Sequence, residues 1–242
     1  VEYDGWRLMV AGATGVIGGA VAAAAAERGA AVVVAGRDPV RLDAVARRVG
    51  AAGQEAFDAY DLERCGELAA GAARAMGGLD AVLVAFGVAA FGRAGQVPLP
   101  VQEHLMAVNA SAPMAVLEGA LGVVAAPGAI GALTGVVVER PVAGTTAYRA
   151  AKAALAAWLE SVRAEHRRTG LTVLDARLPH LETGFSRRAL VGEPPPLPPG
   201  ADLETWVLAV LDGLRQGAAV IRPGGVHGAP VSERATRGGA DR

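Results

Sequence analysis

The chain has 242 residues, 52% of them hydrophobic but only 4% aromatic, and a formal net charge of −1 from 23 Lys and Arg against 24 Asp and Glu. That length suits one α/β domain whose core is mostly Ala, Val and Leu. Near-neutral charge gives no general pull toward nucleic acid or acidic membrane, and a single cysteine, Cys65, excludes an internal disulfide framework and a multi-cysteine metal site.

Leu8 to Ala11 is predicted as a short apolar strand, followed by a glycine-rich turn and a helix over Ala20 to Arg28 closed by Gly29. The segment before it shows no signal-peptide pattern, so a cytoplasmic location is expected. Ala31 to Ala35 is apolar on successive positions, as a parallel strand buried on both faces requires. Asp38-Pro39 then places an N-cap before a proline at the first helical position and opens a helix to about Val49. Further strands are predicted over Ala81–Ala85, Ile130–Thr134 and Leu171–Ala176, and helices around Glu63–Ala75, Val101–Leu121 and Ala147–Arg168. Strands alternating with helices of this length predict an α/β doubly wound parallel sheet. Gly119 to Val138 carries no charge, but Pro127, Gly128, Gly131 and Gly135 punctuate it, so a helix end, a turn and a buried strand are expected there instead of a membrane span. The proline-dense stretch Gly192 to Gly200 and the Gly/Arg-rich tail after Pro223 are expected to be less ordered.

Gly12-Ala-Thr14-Gly15-Val16-Ile17-Gly18 lies between the first strand and its helix. Glycines there permit a tight turn and close approach of a pyrophosphate, which the helix N-terminus favours. The spacing is G-x-x-G-x-x-G, so the strand–turn–helix context carries more weight than the glycines alone. At the end of the second strand an acid would accept from an adenosine 2′-hydroxyl, whereas an arginine would accommodate a 2′-phosphate. Gly36 stands at that place and Arg37 follows; Asp38 competes, but its N-cap role explains it, so NADP(H) is expected over NAD(H).

Lys152 is the one lysine of the chain and lies four residues after Tyr148. On a helix this spacing puts both side chains on one face. An ammonium so placed favours phenolate and lowers a phenol pKa, tuning the tyrosine to exchange a proton with a carbonyl/alcohol pair. An ordinary half-buried aromatic beside a snorkelling lysine has the same spacing.

With these residues in place, the sequence resembles the short-chain dehydrogenase/reductase family from Leu8 to about Leu214. The matching order is the glycine turn, Arg37, Asp61-Leu62, Asn109, then Tyr148 and Lys152. The resemblance implies a single Rossmann-type domain over 1–222, with a proline-rich substrate lid around 185–200 and a flexible tail over 223–242. It implies a cofactor site of Gly12, Thr14, Gly15, Val16, Ile17, Gly18, Arg37, Asp61 and Leu62 (the last two at adenine), Gly87, Tyr148, Lys152 and Thr183. Tyr148 would act on substrate, Lys152 on the nicotinamide ribose, and Asn109, the only asparagine, would support a water relaying protons to Lys152. Relatives assemble as homodimers or homotetramers, and the alanine-rich surface of the Tyr148 helix suits such packing or packing on its own sheet.

Three positions depart from the family. Val84-Ala85-Phe86-Gly87 keeps only the glycine of an Asn-Asn-Ala-Gly motif, and His180 replaces the glycine after Pro179. The serine expected thirteen residues before Tyr148 is Gly135. Thr134 substitutes for it only if the strand ends or twists there. Loss of that donor to the oxyanion costs about two to three orders in rate. Restoring it with Gly135→Ser is expected to preserve or raise turnover, unless the pocket needs the space. Thr134, Gly135 and His180 are therefore the expected substrate-side residues. His104, His166, His180 and His227 show no metal spacing, and no metal is expected. The reading is an NADP(H)-dependent oxidoreductase interconverting a ketone and a secondary alcohol. Its alternatives are a catalytically impaired NADP(H)-binding sensor or scaffold, and a cofactor-assisted dehydratase or isomerase.

Overall fold

In the computed structural model, residues 3–225 and 228–234 are described. Eight strands form one sheet in the order β3-β2-β1-β4-β5-β6-β7-β8. β1 (Arg7–Ala11), β2 (Ala31–Gly36), β3 (Gly53–Ala56), β4 (Ala81–Val84), β5 (Ala129–Leu133), β6 (Thr172–Ala176) and β7 (Ala218–Pro223) are parallel, and β8 (Pro230–Arg234) runs antiparallel to β7. The sheet is thus an α/β, Rossmann-type doubly wound one, with a single antiparallel edge. The order reverses between β1 and β4, which opens a crevice at their carboxyl ends.

Strand alternation divides the core. Leu8 and Val10 face α1 (Val16–Glu27), α2 (Pro39–Val49) and α7 (Leu203–Gln216), whereas Met9 and Ala11 face α3 (Leu62–Met76), α5 (Ala112–Leu121) and α6 (Thr146–Glu165). Asp38 caps α2 through the amides of Val40 and Arg41, as its sequence context predicts. No helix among the described residues is long and apolar enough to cross a membrane, and the stretch from Gly119 resolves into the end of α5, a turn and β5.

Four differences from the sequence expectation have physical causes. The helix expected over Val101–Leu121 is three pieces: α4 (Leu99–Met106), a π turn over Ala107–Ser111, and α5. Pro113 has no N–H to return to the Asn109 carbonyl four residues back, and Ala112 N–H instead donates to Ala107, five back. β3 was hidden because Gly-Gln-Glu-Ala is a polar edge strand. α7 and β7 escaped despite Asp202, whose carboxylate accepts from Thr205 N at 2.7 Å, and Gly217, which ends the helix left-handed. Finally, the segment expected to be a flexible tail contains β8, and Arg222 on β7 pairs with Glu233 at 2.5 Å. Residues 226 and 227, with His227, and 235–242 of that tail lie outside the described residues.

Candidate active site

The glycine turn is built by close approaches that side chains would block. Gly12 has φ +94°, and a Cβ on it would come within 2.6 Å of Phe86 N. A Cβ on Gly18 would strike the Gly12 carbonyl. Gly12 N and Ala13 N donate to Ala35 O at 2.8 and 3.1 Å, fixing the turn to the end of β2. Gly15 is the N-cap of α1 and offers no side-chain cap, so the helix-end amides of Val16, Ile17 and Gly18 face the crevice end of the sheet. This cradle fits a pyrophosphate.

Gly36 belongs to the same construction. A Cβ there would lie 2.8 Å from Thr14 Cγ2, so a carboxylate side chain fits only if the Thr14 side chain is displaced. Arg37 is exposed beside it, and Asp38 is spent on its helix cap. Arg41, unmarked in the sequence reading, donates from Nη2 to Thr14 O at 3.0 Å and so ties α2 to the turn. Asp61 caps α3 by accepting from Arg64 N at 2.9 Å, with Leu62 half exposed beside it. Phe57 and Phe86 pack at 5.1 Å between centroids across this region, a contact that no spacing in the sequence signals.

Gly87, Asn109 and Lys152 do converge. A Cβ on Gly87 would be 2.8 Å from Asn109 Oδ1 and 3.2 Å from Lys152 Nζ, so only glycine lets the three meet. Asn109 is fully buried in the π turn; its Oδ1 accepts from Val88 N at 2.9 Å and its Nδ2 donates to Val88 O at 2.8 Å. Its side chain therefore clamps the segment after β4, and Pro113 leaves its main-chain carbonyl without the α-helical donor. Lys152 Nζ donates to Leu133 O at 2.8 Å at the end of β5. Burial lowers the Lys152 ammonium to about 8, and the charge of Asp175 opposes that fall.

Tyr148 sits one turn before Lys152, between Phe91 and Phe185, each 6.3 Å away between centroids. The expectation of a lowered phenol pKa is corrected: burial pushes the Tyr148 phenol up, because removing phenolate from water outweighs any help from Lys152. Thr134 does not offer the hydroxyl that the sequence reading considers for a substrate oxygen, since it is buried and donates to Asp175 Oδ1. Gly135 follows with φ 88° and ψ 158°, and a Cβ there would meet only Leu178 O, at 3.7 Å. His180 is turned toward Glu182, Nε2 to Oε1 3.3 Å, and its carbonyl accepts from Ala201 N at 2.9 Å. Thr183 N donates to Leu181 O at 2.7 Å, which holds Thr183 in a tight turn.

The segment after β6 is tied down by main-chain bonds: Leu190 N to Ala89 O at 2.8 Å and Phe91 N to Val191 O at 2.9 Å. Gly192, at φ +70°, packs so closely on the Phe91 carbonyl that a Cβ would collide with it. A cavity of about 520 Å³ opens beside Phe91, walled by Arg93, Ala143, Val191, Glu193 and Pro195 among others. Among the described residues no group of three or more His, Cys, Asp and Glu side chains could hold a metal.

A family model described as short chain dehydrogenase matches residues 7–190. Among solved structures, a dehydrogenase/reductase from Sinorhizobium meliloti 1021 is 26% identical, with a TM-score of 0.70 over 75% of each chain. A short chain dehydrogenase from Burkholderia cenocepacia J2315 in complex with NADP is 22% identical, with a TM-score of 0.78 over 88% of this chain and 92% of that one. An alcohol dehydrogenase from the archaeon Thermococcus sibiricus complexed with 5-hydroxy-NADP is 20% identical, with a TM-score of 0.76 over 93% and 94%. The last two likenesses speak to fold alone. No curated protein sequence matches the chain.

Proposed function

The chain belongs to the short chain dehydrogenase family, and from that premise we propose that it binds NADP(H) and interconverts a ketone and a secondary alcohol. The observation that carries the reading is the meeting of Asn109 and Lys152 at Gly87, with Tyr148 one helical turn away. When bound, the nicotinamide supplies or accepts hydride. Gly12, Thr14, Gly15, Val16, Ile17 and Gly18 hold the pyrophosphate, Arg37 meets the 2′-phosphate, and Gly36 lacks the acid that a 2′-hydroxyl would need. Asp61 and Leu62 border adenine, while Gly87 and Thr183 border the nicotinamide half.

Tyr148 donates its hydroxyl proton to the substrate oxygen in the reducing direction. A phenol raised by burial is protonated at neutral pH and ready for that step. Lys152 holds the ribose and draws the phenol's equilibrium toward transfer, and the Asn109 carbonyl anchors a water that returns a proton toward Lys152. The 185–200 segment shapes the substrate end, with Phe91 and Phe185 orienting the carbonyl carbon's substituents at Tyr148. The choice of NADP(H) rests on Arg37 and Gly36; the Burkholderia structure holds NADP and the Thermococcus structure 5-hydroxy-NADP, cofactors of the class proposed here.

A second reading, an NADP(H)-binding sensor with impaired catalysis, draws on Gly135 and on the commitment of Thr134 to Asp175, which together leave the oxyanion without a hydroxyl from this strand end. NADPH consumption across a panel of carbonyl compounds separates the two. Turnover supports the oxidoreductase; tight NADPH binding with no turnover across a broad panel overturns it and leaves the sensor.

A further inference from the structure

Asp175 is a buried carboxylate that the steps above do not use. On β6, Leu174 and Ala176 enter the core under α1 and α7, and Val173 enters the opposite one, so the alternation turns Asp175 toward α6. It is 1% exposed. Oδ1 accepts from the Thr134 hydroxyl, and Oδ2 accepts from Arg177 Nε at 2.8 Å. Arg177 in turn lies 3.9 Å from Glu139. Thr134 directly follows Leu133, whose carbonyl receives the Lys152 ammonium. Arg163, three turns further along α6 from Lys152, donates to Val173 O at 3.0 Å and Ala219 O at 2.8 Å, which holds α6 against β6 and β7.

We propose that Asp175 is a positioning residue for Lys152: gripped by Thr134 and Arg177, its carboxylate fixes the end of β5 that presents the Leu133 carbonyl and supplies the negative charge that keeps a fully enclosed ammonium protonated. An ammonium out of water with one carbonyl partner is costly and otherwise sheds its proton. The other groups around Lys152 do not supply that charge. Asn109 on the π turn is a neutral amide, and Tyr148 on its own helix is a neutral phenol. Glu139, beyond β5, is about a third exposed to water where Asp175 is buried, and Arg163 carries the wrong sign. Burial alone would carry Lys152 below its value of about 8, and Asp175 is the opposing influence.

The sequence provides its own probe, because Lys152 is the only lysine. Protein labelled with ¹³C at lysine Cε gives one side-chain NMR signal, and its pH titration reads Lys152 directly. Asp175→Asn keeps the shape and removes the charge, and the midpoint is expected to fall by about one unit or more. Thr134→Val cuts one grip on the carboxylate and keeps its charge, and is expected to lower the midpoint by clearly less than Asp175→Asn does. An unmoved midpoint in Asp175→Asn, or an equal fall in Thr134→Val, overturns the proposal. If Asp175→Asn does not fold, the native titration decides: a midpoint above about 7 supports a compensating carboxylate, and one below it matches an uncompensated buried lysine and overturns the proposal. The inference rests on the functional reading only for the task of Lys152. If NADPH fails to bind while the lysine midpoint still moves, that reading fails and this one stands.

Discussion

Gly135→Ser would place a hydroxyl where the sequence reading expects one, yet the backbone at this position argues that the change is not a simple restoration. Space is not the obstacle, since the nearest atom to a new Cβ is Leu178 O at 3.7 Å. The obstacle is a φ of 88° with ψ of 158°, a region essentially restricted to glycine. The neighbouring peptides cannot relax freely, because Thr134 N and Gly135 N both donate to Ala176 O, at 3.0 and 3.3 Å, and Val136 N donates to Leu178 O at 3.0 Å. Strain of this kind costs about 1–3 kcal/mol. At a urea slope of about 2 kcal/mol per molar, the unfolding midpoint is expected to fall by roughly 0.5–1.5 M. Gly135→Ala should fall by the same amount, because the strain belongs to Cβ and not to the hydroxyl. Equilibrium urea unfolding of the three proteins checks the stability, and turnover of serine against alanine isolates the hydroxyl. A serine variant that unfolds at the native midpoint would refute the backbone argument.

Tyr148→Phe should lower turnover by at least about a hundredfold with NADPH affinity nearly unchanged, measured by steady-state kinetics and cofactor fluorescence; undiminished activity would move attention to His180. Arg37→Ala should weaken NADPH binding about tenfold or more while leaving NADH binding in place, and an equal loss for both cofactors would contradict the 2′-phosphate assignment. Lys152 has a folded value of about 8 against an ordinary 10.5, so between those two pH values the unfolded chain binds more protons and stability should rise with pH. Urea midpoints of the native protein and Lys152→Met at pH 8 and 10 test this: the native protein should gain on the variant as pH rises. Gly192→Ala should loosen residues 186–200 through its collision with the Phe91 carbonyl, read as faster limited proteolysis within that segment.

Much of this fold is written in strongly patterned segments. Val32 to Ala35 is apolar on every position because both faces of β2 are covered, and Asp38-Pro39 announces α2 by local chemistry alone. Tyr148 and Lys152 were legible because helical spacing is a local rule. What escaped depends on partners distant in the chain. Nothing around Thr134 tells that a carboxylate 41 residues later takes its hydroxyl. The close approach of Gly87 to Asn109 and Lys152 is likewise a meeting of three separate segments. The expectation of a lowered Tyr148 phenol used only the neighbouring charge; the enclosure that outweighs it is made by Phe91 and Phe185, from two other loops. Arg41 could have been suspected from its place in the first turn of α2, but only the folded glycine turn gives it Thr14 O to hold.

The closure over Tyr148 is fastened by peptide groups, Leu190 to Ala89 and Phe91 to Val191, with one glycine, Gly192, where the two segments touch. Main-chain bonds do not depend on which side chains flank them. Substitutions at Val191 or Glu193 can therefore recontour the cavity wall while the fastening persists. Such changes need not disturb Gly87, Asn109 and Lys152, which are held from the other side by the π turn and β5. Directed libraries confined to these wall positions thus reshape the cavity while leaving the fold's most constrained contacts untouched.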